Sequence, residues 1–415
     1  MKVLYIYNLY QQPGGENQWV EREPELMRGR GHEVLVYKRD NNEISQFSLP
    51  QRGSLLWSTA WSERTYLEVR ELVRSERPWV VHVHNTLPLV TPSVYYACGE
   101  EGVPVVQTLH NYRLLCPAAT FVREGHVCEE CIEHSLGRSV RHGCYRNSRV
   151  QSAAVAWMLY SHRQRGTWQE RIDAYLVPTE FMRQKFIKGG LPAERIVVTP
   201  NFHDPDPGLR EASDGSALYT GRLVTEKGLQ ALVTAWERLE NPPRLGIIGD
   251  GPLRQELERA ARLSRGRVEV LGQQSRTEVI ARLKKAAFLV LPSEWYEGSP
   301  QVVLEAYACG VPILASRIGA LAEMVRDGVT GLLFEPGQSA DLAAGVRWMT
   351  AHEDGARRLG KNGRKAYETQ YTAERYYERL MSIYQAVIAG KTGHHARAAH
   401  EGVKQVQARE EQPAR

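Results

Sequence analysis

Ala217–Leu253 reads ALYTGRLVTEKGLQALVTAWERLENPPRLGIIGDGPL. An apolar run, Ala217–Thr220, ends at Gly221, and a helical pattern follows over Leu229–Leu239. A second apolar run, Leu245–Ile248, ends in the turn Gly249-Asp250-Gly251-Pro252. Short, wholly apolar runs alternating with helical stretches are the pattern of parallel strands covered on both faces. The series continues through strands at Val268–Leu271, Phe288–Leu291 and Pro312–Ala315, with helices at Leu253–Leu263 and Thr277–Ala286. Residues 208–370 therefore read as a doubly wound α/β domain.

The same pattern recurs upstream. Met1–Tyr7 reads as a buried strand, Gly14-Gly15 as a tight loop, Glu16–Arg30 as a helix stopped at Gly31, and Glu33–Tyr37 as the next strand. Trp79–Val83, Val103–Thr108, Ala174–Val177 and Ile196–Val198 complete a first domain over 1–200. Right-handed crossovers put the loops after the strands on one side of each sheet, where ligands bind. The expected fold is α/β, with two Rossmann-like parallel-sheet domains facing across a cleft. Thr199–Pro207 (TPNFHDPDP) has three prolines and no periodicity, so it reads as the linker. Asp204 and Asp206 lie there, and this DxD reads as linker chemistry, not a metal site. Helices are expected near Ala340–Met349 and Gly355–Tyr367. A last helix over 371–389 is expected to cross back to the first domain. Residues 391–415 are polar and are expected to be disordered.

The chain has 415 residues, 42% apolar and 24% charged, with a formal net charge of +5. Those values fit a two-domain globular protein. The basic excess is too small and scattered for a nucleic-acid stripe. No cleavable leader and no bilayer-length apolar run is read. The expectation is a cytoplasmic protein with peripheral contact at the inner face of the cell membrane. Arg138–Trp168, with arginines flanking Trp157, Met158, Leu159 and Tyr160, is the segment that bears on such contact. A core helix with solvated ends is the alternative.

Trp295–Gly310 (WYEGSPQVVLEAYACG) carries the densest chemistry. Ser299 is a good N-cap and Pro300 suits the first helical position. The helix start then offers free amides and a partial positive charge to a diphosphate, and Gly298 allows close approach. Glu305 lies one turn after Gln301 on the same face, placed to accept a ribose diol. Glu297, ahead of the helix, is placed for sugar hydroxyls. Arg222 and Lys227 follow the strand Ala217–Thr220 and can neutralise a diphosphate leaving group. Gly249 and Gly251 form a turn facing phosphate or base.

These features resemble the retaining GT-B enzymes of glycosyltransferase family 4, from Met1 to about Ala389. Glu297…Glu305, Arg222/Lys227 and Gly249–Pro252 carry the resemblance. It implies a UDP- or GDP-sugar held by the second domain, with the diphosphate against Arg222 and Lys227, ribose on Glu305 and sugar near Glu297. It also implies a saccharide or lipid-linked acceptor, a role in bacterial cell-surface polysaccharide synthesis, and no cofactor for catalysis. The leaving phosphate itself would take the acceptor proton. In the first domain, Gly14 and Gly15 match the loop that approaches the donor phosphates. His110 in TLHNY matches a histidine near the reacting sugar. His84 and Asn85 read equally as acceptor contacts or strand-end packing.

Cys116, Cys128, Cys131 and Cys144 follow the pattern C-x11-C-x2-C-x12-C within an insertion at 116–144. Four thiols with a central CxxC have the count of a tetrahedral structural zinc site. A disulfide or redox pair, and four ordinary cysteines, are the alternatives. The insertion is expected to shape the acceptor side. Other readings of the chain are an epimerase or hydrolase on the same scaffold, a silent nucleotide-sugar-binding protein, and a zinc nucleic-acid module. The first would need further acid–base carboxylates around the sugar. The second is expected to lack one of Arg222, Lys227, Glu297 or Glu305, all of which are present.

Overall fold

A computed structural model describes residues 1–11 and 15–392. Gly14 and the tail beyond 392 lie outside the described residues, and so does most of the segment expected to be disordered. The chain divides into two compact units. Among the described residues, unit 1 comprises Met1–Thr120, Glu129–Thr199 and Tyr377–Thr392; unit 2 comprises Phe121–Cys128 and Pro200–Tyr376.

In chain order the strands begin with β1 (Lys2–Leu9), β2 (Glu33–Asp40), β3 (Val80–Val83) and β4 (Val105–Thr108). A short hairpin, β5 (Val122–Arg123) and β6 (His126–Val127), precedes β7 (Ala174–Val177) and β8 (Ile196–Val198). Unit 2 continues with β9 (Ala217–Thr220), β10 (Leu245–Ile248), β11 (Val268–Gly272), β12 (Phe288–Leu291), β13 (Ile313–Ser316) and β14 (Gly331–Phe334).

Unit 1 holds a six-stranded sheet ordered β2-β1-β3-β4-β7-β8, and unit 2 one ordered β11-β10-β9-β12-β13-β14. The strand pairs of both sheets are parallel. β12 shows why the runs are apolar throughout. Phe288 and Val290 pack into the core on one face, Leu289 and Leu291 into the core on the other. Successive residues of a strand point to opposite sides, and here helices cover both.

The strand order fixes where a ligand fits. In unit 2 the sequence order reverses direction between β9 and β12; in unit 1 it does so between β1 and β3. The loops leaving neighbouring strands diverge at such a point and open a crevice.

Three features depart from the sequence reading. β14 was not anticipated. The hairpin Val122–Val127 belongs to unit 2, although the cysteine-rich insertion was assigned whole to the first domain. The helix carrying Glu305 spans Gln301–Cys309 with Pro300 as its N-cap residue, so Ser299 lies one place outside the cap.

Candidate functional site

In unit 2 the loops after β9 and β12 converge at the switch point. The β9 loop turns through the short 3-10 helix Thr225–Lys227 and ends at Gly228. Gly228 has φ +67°, and a β-carbon there would lie 1.9 Å from the Pro292 carbonyl oxygen. Only glycine fits this approach. The Glu294 amide donates to the Glu226 carbonyl at 2.9 Å, which ties the same two loops again. The result brings the Lys227 ammonium onto the Glu297 carboxylate. Ser293 Oγ donates to the same oxygen at 2.7 Å. The Lys227 Nζ also sits 5.4 Å from the centre of the Trp295 ring, within cation–π range.

Glu297 is buried. Burial pushes its carboxyl up, but the charge of Lys227 and the hydrogen bonds from Lys227 and Ser293 outweigh it and hold it below its ordinary value. Glu297 is therefore an anion at neutral pH. Arg222 is exposed and 3.9 Å from Glu226. The β9 and β10 loops are locked backbone to backbone. Leu223 N donates to Asp250 O at 2.9 Å, and a β-carbon on Gly249 would fall 1.9 Å from the Gly221 carbonyl oxygen.

The helix Gln301–Cys309 starts without a side-chain cap, so its first amides remain available to an anion. Gln301 Oε1 is buried with no hydrogen-bond partner among the described residues. Glu305, further along this helix, lies 3.5 Å from Arg276 Nε and 3.9 Å from His203 Nδ1. Arg276 Nη2 and His203 Nδ1 are 2.9 Å apart. Arg276 and His203 were not anticipated. Each sits in a polar stretch, and only the fold brings them to Glu305. Asp206 is gripped by both terminal nitrogens of Arg364, each at 2.7 Å, so this carboxylate of the linker DxD is engaged in an ion pair. The hairpin β5–β6 borders these loops: Phe121 packs edge-on to Tyr296, 6.4 Å between ring centres.

Unit 1 presents a different chemistry at its own switch point. Glu16 lies in the first turn of the helix Gly15–Gly29. Asn85, after β3, donates to one of its oxygens at 2.8 Å, and Asn111, after β4, donates to the other at 2.7 Å. Burial raises the Glu16 carboxyl above its ordinary value, against these bonds and the charge of Arg113. Asn85 is itself fixed, accepting from the Asn8 backbone at 2.8 Å and donating to the Asn8 carbonyl at 3.1 Å.

His110 follows β4. Its Nε2 is 2.9 Å from Nδ1 of His84, and the two rings stack with centres 5.1 Å apart. Burial depresses His110 to about 3, and His84 falls well below its ordinary value for the same reason. Both are neutral at pH 7. His84 stacks in turn on His82, 4.6 Å between centres. His82 Nδ1 is 2.8 Å from Glu23 and 2.6 Å from the Tyr384 hydroxyl, while its Nε2 is 2.7 Å from Thr108 Oγ1. The Tyr384 hydroxyl is also 3.1 Å from that of Tyr5. Tyr384 belongs to the helix Ala373–Thr392, which the sequence reading expected to return to the first domain. A cavity of about 30 Å³ is lined by His84, Asn85, His110, Asn111 and Arg113.

The six cysteines form no disulfide; Cys116 is buried, and Cys128, Cys131 and Cys144 are half-buried.

Two family profiles match the chain: "Glycosyltransferase Family 4" over residues 13–207, and "Glycosyl transferases group 1" over residues 206–366. The chain is 34% identical to the glycogen synthase of Mycobacterium tuberculosis over 329 residues, 77% of this chain and 71% of that one. It is 31% identical to an uncharacterized glycosyltransferase of Methanocaldococcus jannaschii over 205 residues, 48% of this chain and 57% of that one. In fold it is similar to HepE of Anabaena, solved with UDP-glucose, at TM-score 0.63 and 18% identity, covering 92% of this chain and 100% of that one. The architecture is GT-B.

Proposed function

Because the chain belongs to the glycosyltransferases of the group 1 and family 4 type, we propose that it transfers a hexose from a nucleoside-diphosphate sugar, with retention at the anomeric carbon. The acceptor is read as a saccharide or lipid-linked saccharide of a bacterial cell-surface polysaccharide. The observation that carries this reading is the pairing of Lys227 with Glu297 across the two loops of the unit 2 switch point. A diphosphate entering there meets the uncapped start of the helix Gln301–Cys309 and the cations of Lys227 and Arg222. Glu297, held as an anion, accepts hydroxyls of the transferred sugar, and Glu305 accepts those of the ribose. HepE has been solved with UDP-glucose, which favours a uridine donor here; a guanosine donor is the other candidate.

In the proposed step, an acceptor hydroxyl oxygen bonds to the anomeric carbon while the bond from that carbon to the β-phosphate oxygen breaks. The hydroxyl proton passes to a phosphate oxygen. Arg222 and Lys227 stabilise the charge that develops on the leaving diphosphate, the work a divalent ion does elsewhere. On the acceptor side, His110 and the Asn111–Glu16 pair orient the acceptor as neutral or hydrogen-bonding groups. A histidine depressed to about 3 is a hydrogen-bond partner and not an acid at neutral pH.

Titration with a panel of UDP- and GDP-sugars tests the donor reading. Saturable binding of one of them, followed by slow hydrolysis, is expected; binding of none overturns it. Turnover is expected without added divalent ions. On the sequence pattern alone, the four thiols Cys116, Cys128, Cys131 and Cys144 are proposed to hold one structural zinc ion; among the described residues the group with three ligand atoms in mutual reach is Glu23, His82 and His84. Metal analysis of protein never exposed to chelator should give about one zinc per chain. Much less than one equivalent rejects the site.

A further inference from the structure

Two helices of unit 1, Leu49–Ser58 and Arg149–Gln164, pack against each other. Among polar neighbours, their outward sides carry five exposed large apolar side chains. Leu49 and Trp57 are 83% and 73% exposed, and Val150, Trp157 and Tyr160 are also exposed. Val150, Trp157 and Tyr160 are spaced to share one helix face, as are Leu49 and Trp57. Single exposed apolar side chains are ordinary; five on two packed helices are not.

The charge pattern is one-sided. From Gly137 to Gln169 the chain carries Arg138, Arg141, Arg146, Arg149, Arg163 and Arg165 and no Asp or Glu. Between Glu43 and Glu63 there is again no carboxylate, and Arg52 is the one cation. Elsewhere the two signs are mixed, with 53 basic and 48 acidic residues in all.

Beside this face lies a cavity of about 500 Å³. Ile44, Leu55, Leu56 and Val155 supply apolar lining, and Arg52 and Arg146 also line it. Arg52 donates to the Ser45 and Phe47 carbonyls, and Arg146 to Gln11 Oε1. Each guanidinium has five N–H donors, so both retain capacity for an anion. An apolar pocket with cations on its wall suits a molecule with a hydrocarbon chain and an anionic head.

We propose that this face of unit 1 docks on an anionic lipid bilayer, with the cavity accepting the chain of one lipid and Arg52 and Arg146 meeting its phosphate. Trp57, Trp157 and Tyr160 have the apolar body and polar tip that settle at a membrane interface. Exposed arginines add attraction to anionic headgroups that weakens with salt. The proposal stands apart from the donor reading, since it concerns unit 1 alone and is tested without nucleotide sugar.

The test is co-sedimentation of the full chain with vesicles of phosphatidylglycerol and phosphatidylcholine, against vesicles of phosphatidylcholine alone. Binding to the anionic vesicles is expected, with at least about tenfold weakening in the Trp57→Ser/Trp157→Ser double variant and in the Arg146→Glu/Arg149→Glu variant. Thermal melting and UDP-sugar binding of the tryptophan variant should match the parent, because both side chains are on the surface. No binding to anionic vesicles overturns the proposal, as does binding undiminished by the tryptophan substitutions. A concentration-dependent dimer that the tryptophan substitutions abolish, in place of vesicle binding, assigns the face to a second copy and also overturns it.

Discussion

The two switch points share a topology and differ in their chemistry. In unit 2 the loops are joined by an ion pair, Lys227 on Glu297, with a guanidinium and an uncapped helix start beside it. In unit 1 the corresponding loops carry neutral imidazoles and amides around one buried carboxyl. An ion pair can exchange partners with a charged ligand, because a phosphate replaces the carboxylate on the lysine. A neutral hydrogen-bonded set offers a charged ligand little and suits hydroxyls. On the proposed reading, the same fold supplies an anion site in one unit and a site suited to hydroxyls in the other. What decides between them is a handful of residues at the strand ends.

The contrast can be broken most sharply beneath the unit 1 site. Glu23→Ala removes a fully buried carboxylate from His82. Leaving a buried polar group without its partner costs about 1–3 kcal/mol, and more where the group is charged. Thermal or urea unfolding should show that loss, and unchanged stability would mean that the carboxyl is protonated or dispensable. Next in size is Lys227→Ala, which removes a cation from the proposed leaving group and leaves Glu297 buried without it. Turnover should fall about 10²–10³-fold, the range seen when one charge-stabilising donor is removed. Steady-state kinetics with the donor identified by titration gives the number.

His110→Ala sharpens the division of labour. Turnover onto the acceptor should fall about 10–100-fold, the worth of one or two hydrogen bonds, with donor affinity unmoved. A parallel loss of donor binding would contradict the separation of roles. Glu305→Ala should weaken nucleotide affinity about tenfold, one charge-assisted hydrogen bond, with little change in maximal turnover. Calorimetric titration with the nucleoside diphosphate alone reads this directly.

A change of pH probes the same neutral pair of histidines. His84 and His110 stay neutral in the folded chain well below the ordinary histidine value of 6.5. Below pH 6.5 the unfolded chain binds protons at these positions that the folded chain does not, at His110 down to about pH 3. Stability contributed by each is thus lost as pH falls, by up to about 1.4 kcal/mol per pH unit. Glu297, depressed from 4.5, adds a loss at still lower pH. Glu16, raised from 4.5, acts the other way and contributes stability that fades as pH rises through its folded value. Urea unfolding at pH 7 and pH 5 should show a net decline at the lower pH, reduced in His110→Asn.

The sheets were legible because the central strands are mostly apolar. Ala174–Val177, Ile196–Val198, Ala217–Thr220, Leu245–Ile248 and Phe288–Leu291 have the same limits in sequence and structure. β14 escaped because Gly331-Leu332-Leu333-Phe334 is a short run in polar surroundings that periodicity alone does not resolve. The hairpin β5–β6 has strands of two residues, too short to carry any period. At the site, strand ends and glycine turns pointed to Lys227, Glu297 and His110. Glu16 was read only as the start of a helix, since an acid in a first helical turn reads as a complement to the helix dipole. Its amide partners, Asn85 and Asn111, are 69 and 95 residues away. Contacts of that span come from the fold and leave no local trace.

The hydroxyl of Tyr384, seated on His82 and Tyr5, bears on the order in which the chain matures. A ribosome releases the sheet of unit 1 long before it releases residue 384. Until then His82 and Glu23 lack their final cover, and the nascent first unit keeps a polar seam that water must fill. Unit 2, apart from Phe121–Cys128, is synthesised within that interval. The first unit to be made is thus the last to be finished.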